Sequence, residues 1–331
     1  MRLLVTHRSR YRYPAPAALG PHVVRLRPAA HAKAKIETYS LLVEQPCALR
    51  WQQDPAGNHL ARLSFRAGER VSQLDITVEM AVDVRPVNPF DFYVDPRCER
   101  APFRYPEAIS PDLRPYLDRD DSVISGGARL SSFLRELPAE GPTVDLIVAL
   151  NQAVNTRVRY VIREEAGVYS PEETLTRGEA SCRDSALLLV AALRSRGLAA
   201  RFVSGYLIQL TDEGMIPDEP KGVTRDVVDL HAWAEVFLPG AGWIGLDATS
   251  GLLCGEGHIP LACTARSAAA APIEGTSDVV ADEVTFEMRV ERLGHEPRPT
   301  APYPEEVWSA LLSTGDRVDL ALTEAGLQLT V

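Results

Sequence analysis

Cys182 is the side chain in this sequence best placed to act as a nucleophile. It lies in the segment Ser181–Asp184, which is followed by a strongly apolar run and then by Gly197, so a helix is predicted to begin at the cysteine. Ser181 is a typical N-cap, and Asp184 stands three residues later, where its carboxylate can complete a capping box. The free amide N–H groups and the dipole of a first helical turn favour a thiolate and can stabilise an oxyanion.

A cysteine at a helix start is also compatible with simple packing, so the residues downstream matter. Asp229–Leu238 alternates between polar and apolar residues with a period of two, which predicts a strand that carries His231. Pro239–Gly242 predicts a turn, and the following segment predicts a return strand that ends at Asp247. A carboxylate beside an imidazole fixes its tautomer and stabilises its protonated form. The sequence therefore predicts a catalytic group of nucleophile, base and orienting carboxylate, namely Cys182, His231 and Asp247.

Strand parity sets a condition on this hairpin. With a plain four-residue loop, Asp247 would lie on the sheet face opposite His231, because side chains alternate between faces. Pairing of Phe237 with Trp243 instead places both side chains on one face as diagonal neighbours. We therefore predict the shifted pairing, reached through a five-residue connection Leu238–Gly242 or through a glycine bulge within it.

Three segments resemble motifs of bacterial transglutaminase-like proteins, and they occur in the same order between about residues 140 and 265. They surround the cysteine, the strand that follows its helix, and the histidine and aspartate: Gly178–Val190, Arg201–Leu207 and Asp229–Gly251. The resemblance implies an α+β fold with a papain-like transglutaminase core, and it assigns Cys182, His231 and Asp247 as catalytic residues. Ala180 departs from the family pattern, which usually has glycine two residues before the cysteine.

The chemistry implied by the resemblance is acyl transfer through a thioester. The preferred function is that of a cysteine peptidase or amidase acting on peptide or isopeptide bonds, with a peptide or protein substrate. The alternatives are an amide-crosslinking or ligating acyltransferase and a non-catalytic binding module of the same fold. The backbone N–H of Cys182 is one expected oxyanion donor, and Tyr160 and Tyr169 are candidates for the second.

The remaining chain divides into three predicted parts. Residues 1–110 contain short strands with turn signals and predict an antiparallel β-sandwich or barrel, which resembles the domain preceding the core in the same family. Residues 111–270 form the predicted core. Residues 271–331 form a C-terminal extension, with a half-buried strand at Val284–Val290 that we expect to pair with the N-terminal domain, and a helix at Pro304–Leu322. The alanine- and serine-rich residues 267–277 predict an exposed connector.

Charge and apolar patterning of the sequence argue against two classes of partner, nucleic acids and membranes. The net charge of −10 argues against nucleic-acid binding, although residues 1–40 carry eight Lys/Arg and one Glu, which predicts a charged strand face. No apolar run is long enough to cross a membrane, and the start is too charged for a signal peptide.

Five scattered cysteines without a CxxC pair favour a reducing, cytoplasmic setting and no zinc site. No cofactor and no metal are expected, and Gly255–His258 is predicted to be a loop rather than part of a metal site. The segment from Pro302 resembles one that leads into a further domain in larger relatives, which suggests a C-terminal domain or partner protein.

Overall fold

The fold is that of a computed structural model, which describes residues 1–119, 126–163, 165–211, 223–294 and 304–326. It is an α+β fold, in which an antiparallel β-sandwich precedes a mixed core of helices and one antiparallel sheet, as the sequence predicted. Most of the acidic stretch between Thr211 and Asp229, and the alternating apolar and polar residues Leu327–Val331, lie outside the described residues.

The N-terminal strands form the sandwich. Their bounds are β1 Arg2–Ala17, β2 Leu19–Val24, β3 Lys35–Val43, β4 Cys47–Gln53, β5 His59–Phe65 and β6 Val71–Asp83. Alternate apolar side chains of β1, β2, β5 and β6 are buried in one shared core, which is the burial expected of two facing sheets. The charged side of β1 is neutralised, since Arg8 and Arg10 form ion pairs of 2.8 and 2.9 Å with the buried carboxylate of Asp75.

Helices and four short strands follow the sandwich and lead to the candidate nucleophile. Their bounds are β7 Arg100–Ala101, α1 Ser110–Leu117, α2 Ala128–Glu136, β8 Gly141–Pro142, α3 Thr143–Arg157, β9 Arg159–Tyr160, α4 Pro171–Arg177, β10 Glu179–Ala180 and α5 Cys182–Ser195. Helix α5 is buried from Asp184 through Arg194, which makes it the central helix of the core. Gly197 adopts a φ of 75° and ends the helix at the predicted position.

The core sheet has the order β14-β13-β12-β11-β15. Its strands are β11 Ala200–Gln209, β12 Val227–Leu238, β13 Gly242–Asp247, β14 Leu252–Leu253 and β15 His258–Thr264. Ala232, Ala234 and Val236 of β12 share an apolar cluster with α5. Tyr206 and Ile259 join the apolar cluster of the sandwich instead, so the sheet lies between the central helix and the N-terminal domain.

The C-terminal extension returns to the sandwich. Strand β16, Ile273–Ser277, pairs with β2, and β17, Glu283–Arg292, pairs with β1 over ten residue pairs. The predicted strand at Val284–Val290 and its pairing with the N-terminal domain are therefore confirmed. Residues 274–277 are exposed, as predicted, but the second half of the predicted connector 267–277 is a sheet strand held by main-chain hydrogen bonds to β2. The predicted C-terminal helix is α6, Glu305–Glu324.

Removal of residues 278–331 is expected to lower the melting temperature by about 5–10 °C, because β1 loses one of its two neighbouring strands and the apolar side chains under β17 become exposed. Removal of residues 304–331 is the matched control, since α6 has no buried residue. Calorimetry on both proteins checks the prediction. Equal melting temperatures for the longer truncation and the full chain would contradict it.

Candidate active site

Cys182 is the first residue of α5, and its helix start is fixed by a network around Asp184. The Oδ2 atom of Asp184 accepts from the backbone N–H of Ser181 at 2.9 Å and from its hydroxyl at 2.7 Å. The Oδ1 atom accepts from Arg163 at 2.8 Å and from the backbone N–H of Tyr169 at 2.7 Å. These bonds to one fully buried carboxylate hold the first turn, and Cys182 with it, against Arg163 and Tyr169.

The hairpin has the pairing that strand parity requires. Phe237 pairs with Trp243, as predicted. Leu238 also pairs with Gly242, so three residues lie in the turn instead of the five-residue connection, which is one of the two predicted routes to this register. Gly242 has a φ of 79°, the left-handed conformation that closes a three-residue hairpin. One step beyond the pair Ala234–Leu246, this register sets Asp247 beside Trp233 and diagonal to His231.

His231 and Asp247 meet in a buried pair. The His231 Nε2 atom lies 3.1 Å from Asp247 Oδ2, and the two side chains are 7% and 3% exposed. Asp247 is held from its other side as well, because Oδ1 accepts from the backbone N–H of Thr249 at 2.8 Å. The imidazole is thereby oriented with Nε2 toward the carboxylate, which leaves Nδ1 for another partner.

The pair is strongly polarised. Burial disfavours the imidazolium, but hydrogen bonds and charge interactions with Asp247 and Cys182 outweigh it and raise the pKa of His231 to about 10. Burial likewise disfavours the carboxylate of Asp247, while hydrogen bonds from His231 and His258 hold its pKa well below the usual range. The structure therefore brings the three predicted residues into one interacting group, in which the histidine carries positive charge at neutral pH.

The two tyrosines proposed for the oxyanion differ in their surroundings. Tyr160 lies in β9, is 48% exposed, and its pKa is raised by burial and by the charges of Cys182, Asp229 and Asp247. Tyr169 is held elsewhere, because its ring stacks with the guanidinium groups of two arginines at 4.0 and 4.3 Å. Tyr160 is thus the candidate that lies near the thiol.

His258 is the site residue that the sequence analysis did not identify. The predicted loop is wrong at this position, since His258 is the first residue of β15 and lies 3.5 Å from Asp247 through its Nε2 atom. A histidine preceded by two glycines, with no nearby ligand partner in the sequence, carries no signal that could reveal this contact.

Among the residues that the structure describes, two groups of donor atoms have a spacing that could hold a metal ion. They are His231, Asp247 and His258 in the candidate site, and His31, Glu235 and Cys263 beside it, with the ligand atoms of each group within 4.8 Å of one another. In the second group, Arg201 already forms a 2.6 Å ion pair with Glu235. In the first group, Asp247 is hydrogen-bonded to His231.

Comparisons with known proteins place the chain in a family. The N-terminal region of bacterial transglutaminase-like proteins matches residues 3–83, and the transglutaminase-like superfamily matches residues 132–248. The chain thus carries both the N-terminal region and the core of bacterial transglutaminase-like proteins. The family core thus contains Cys182, His231 and Asp247, whereas His258 lies beyond the matched segment. A further family, described as "Putative amidoligase enzyme", matches residues 278–331.

Relatives of this transglutaminase-like protein are similar along most of their length. Uncharacterized proteins of Mycobacterium tuberculosis and Mycobacterium bovis are 28% identical over 306 residues, which cover 86% of this chain and 93% of theirs. A crystal structure described as a "Putative Cysteine Protease" from Cytophaga hutchinsonii has a TM-score of 0.62 at 19% identity, and covers 92% of this chain and 94% of that one. The likeness to that structure concerns the fold. Among the described residues, no helix is long and apolar enough to cross a membrane.

Limiting iodoacetamide at pH 6.5 is expected to label Cys182 before the other four cysteines. Burial raises the pKa of Cys47 and Cys98, and it raises that of Cys254 and Cys263 well above the usual range. Cys182 instead interacts with a protonated histidine at the start of a helix. Peptide mapping by mass spectrometry checks the order. Equal labelling of all five, or an unlabelled Cys182, would remove the active-thiol interpretation.

Proposed function

We propose that this protein is a cysteine-dependent acyl-transfer enzyme that hydrolyses peptide or isopeptide bonds through a thioester. The observation that carries the proposal is the buried His231–Asp247 pair, 3.1 Å apart, which interacts with a cysteine on the first turn of the central helix. Thiol acyl-transfer chemistry uses this arrangement, in which a base contacts the nucleophile and a carboxylate orients the base.

In the first half of the reaction, His231 already holds the thiol proton as an imidazolium, and the thiolate sulfur of Cys182 attacks the amide carbon. The carbonyl electrons move to oxygen, where the backbone N–H of Cys182 is one donor and Tyr160 is the candidate for the other. The oxyanion then collapses, the C–N bond breaks, and His231 protonates the departing amine. Asp247 stabilises the imidazolium during these steps and does not itself need to accept the proton.

In the second half, water attacks the thioester and His231 accepts its proton. The tetrahedral intermediate releases the Cys182 thiolate, and the product is a carboxylic acid. If a primary amine replaces water, the same steps form a new amide. The amidoligase family match over residues 278–331 favours amide-bond chemistry in general and keeps this amine-transfer reaction as the second candidate function.

The experiment that tests the proposal measures amine or ammonia release from a panel of peptide amides and isopeptides, with and without an added primary amine. Hydrolysis predicts release with acid product in both conditions, whereas a transferase predicts that the amine becomes incorporated and accelerates release. The Cys182→Ala variant serves as the control in each assay. The absence of release and of incorporation across the panel, together with an unreactive Cys182, would favour the binding-module alternative.

The partners and the compartment are also proposals. We propose a peptide or protein substrate, with neither nucleic acid nor a membrane as a partner, and a reducing, cytoplasmic setting in which the five cysteines stay free. For the C-terminal extension we propose contact with a domain or protein of the amidoligase kind, because residues 278–331 match that family and α6 exposes Trp308 and Leu312. Binding measurements with such a protein, with and without residues 304–331, test this contact.

A further inference from the structure

His258 contacts the same carboxylate oxygen as the candidate base. Its Nε2 atom lies 3.5 Å from Asp247 Oδ2, and His231 Nε2 lies 3.1 Å from that oxygen on its own side. The His258 side chain is only 12% exposed, so it is largely shielded from solvent beside a buried carboxylate. His258 takes part in no step of the proposed reaction, although it faces the carboxylate that orients the base.

The backbone before His258 is packed closely enough to fix its position. A Cβ atom on Gly257 would lie 2.3 Å from the carbonyl oxygen of Ile208, so this approach to β11 requires glycine. Ile208 in turn donates its backbone N–H to the carbonyl of Gly257 at 2.9 Å. His258 then enters β15 opposite Leu207. The position of the His258 ring is therefore fixed by strand pairing and by the close backbone contact at Gly257.

Trp233 supports both histidines. It is 1% exposed, and its ring stacks with His231 at a centroid distance of 6.3 Å and an interplanar angle of 29°. His258 meets the same indole edge to face, at 5.2 Å and 84°. Gly205 makes room for this indole, because a Cβ there would lie 2.3 Å from it. Both histidine rings therefore pack against the buried indole of Trp233, and Asp247 contacts both of them.

We propose that His258 is a positioning residue for the proposed acyl-transfer reaction, on which this inference rests. It donates its Nε2–H to Asp247 Oδ2, so that the carboxylate stays ionised and directed at His231. Without His258, the side-chain hydrogen bond to Asp247 Oδ2 would come from His231 alone, and His231 changes its protonation state in every half-reaction. The fixed donor on Oδ1 is the backbone N–H of Thr249, and His258 supplies the fixed donor on Oδ2.

The test compares His258→Leu, which removes the donor, with His258→Gln, whose side-chain amide can replace it. The substrate-free readout is the rate of Cys182 alkylation between pH 5 and 10, followed by kcat and KM with an active amide substrate. His258→Leu is expected to slow alkylation at pH 6.5 about tenfold and to lower kcat about tenfold, with KM changed by less than about twofold, the scale of one hydrogen bond to a charged group. His258→Gln is expected to retain most of both rates.

His22→Leu is the matched control, because His22 is a buried histidine of the sandwich whose Nδ1 atom lies 2.9 Å from the carbonyl of Gly20. It should leave the alkylation profile unchanged. The proposal is overturned if His258→Leu alkylates and turns over like the unchanged protein. It is also overturned if the Leu and Gln variants lose rate and melting temperature equally, which is the signature of a purely structural role. Because alkylation needs no substrate, a shifted profile supports the inference even if no amide is cleaved.

Discussion

Replacement of Cys182 by alanine is expected to reduce amide release by at least about 10⁴-fold, to the level of the buffer control. The sulfur is the atom that forms the thioester, and the other four cysteines are poor substitutes because burial raises the pKa of each of them. The fold should persist, because the side chain of Cys182 is only partly buried. Steady-state rates and melting curves measured side by side check both expectations.

Cys47→Ser is the matched control for this variant. Cys47 is also partly buried, but it lies in β4 of the sandwich. It should retain full activity. If Cys182→Ala kept more than about a tenth of the activity, or if Cys47→Ser lost as much as Cys182→Ala, the proposed nucleophile would be wrong.

Replacement of Asp247 by asparagine is expected to lower kcat by about 10³–10⁴-fold, because the side chain keeps its shape but loses the charge that stabilises the imidazolium. The pKa of His231 should then fall from about 10, since the burial that lowers it remains while the largest opposing interaction is removed. Iodoacetamide labelling of Cys182 against pH checks this, because the thiolate loses the imidazolium that stabilises it, and labelling at neutral and acidic pH should become slower. An unchanged labelling profile would remove Asp247 from the mechanism.

The same substitution should destabilise the fold in a pH-dependent way. The pKa of His231 is higher in the folded than in the unfolded chain, so its contribution is fully present below about pH 6.5 and is lost as the pH rises toward about 10. The pKa of Asp247 is lower in the folded chain, so its contribution is present above about pH 4 and is lost as the pH falls. The variant should therefore lose most stability, about 3–5 kcal/mol, between about pH 4 and 6.5. Urea unfolding at pH 5.5 and 9.5 checks this difference.

The sequence by itself determined the elements that are local. The capped start of α5 at Cys182 and its end before Gly197 follow from the residue types within that helix. The strand around His231 follows in the same way from the alternation of polar and apolar residues within its own segment. The register of the hairpin could also be predicted, because only one parity places Asp247 on the side of His231. The pairing of β17 with the sandwich could be predicted because apolar and polar residues alternate along β17, and a strand with one apolar face must pair with a sheet.

The tertiary structure alone decided which distant groups surround the candidate pair. His258 reaches Asp247 because Gly257 packs against the carbonyl of Ile208, a contact between strands that no local pattern in the sequence encodes. The strand β16 could not be predicted for a similar reason. The alanine- and serine-rich residues that precede it resemble a connector, and its strand conformation depends on hydrogen bonds to β2. Local sequence specifies caps, periods and parity through the backbone of one segment. Contacts made by long-range packing depend on the free energy of the whole fold, and only the assembled sheet reveals them.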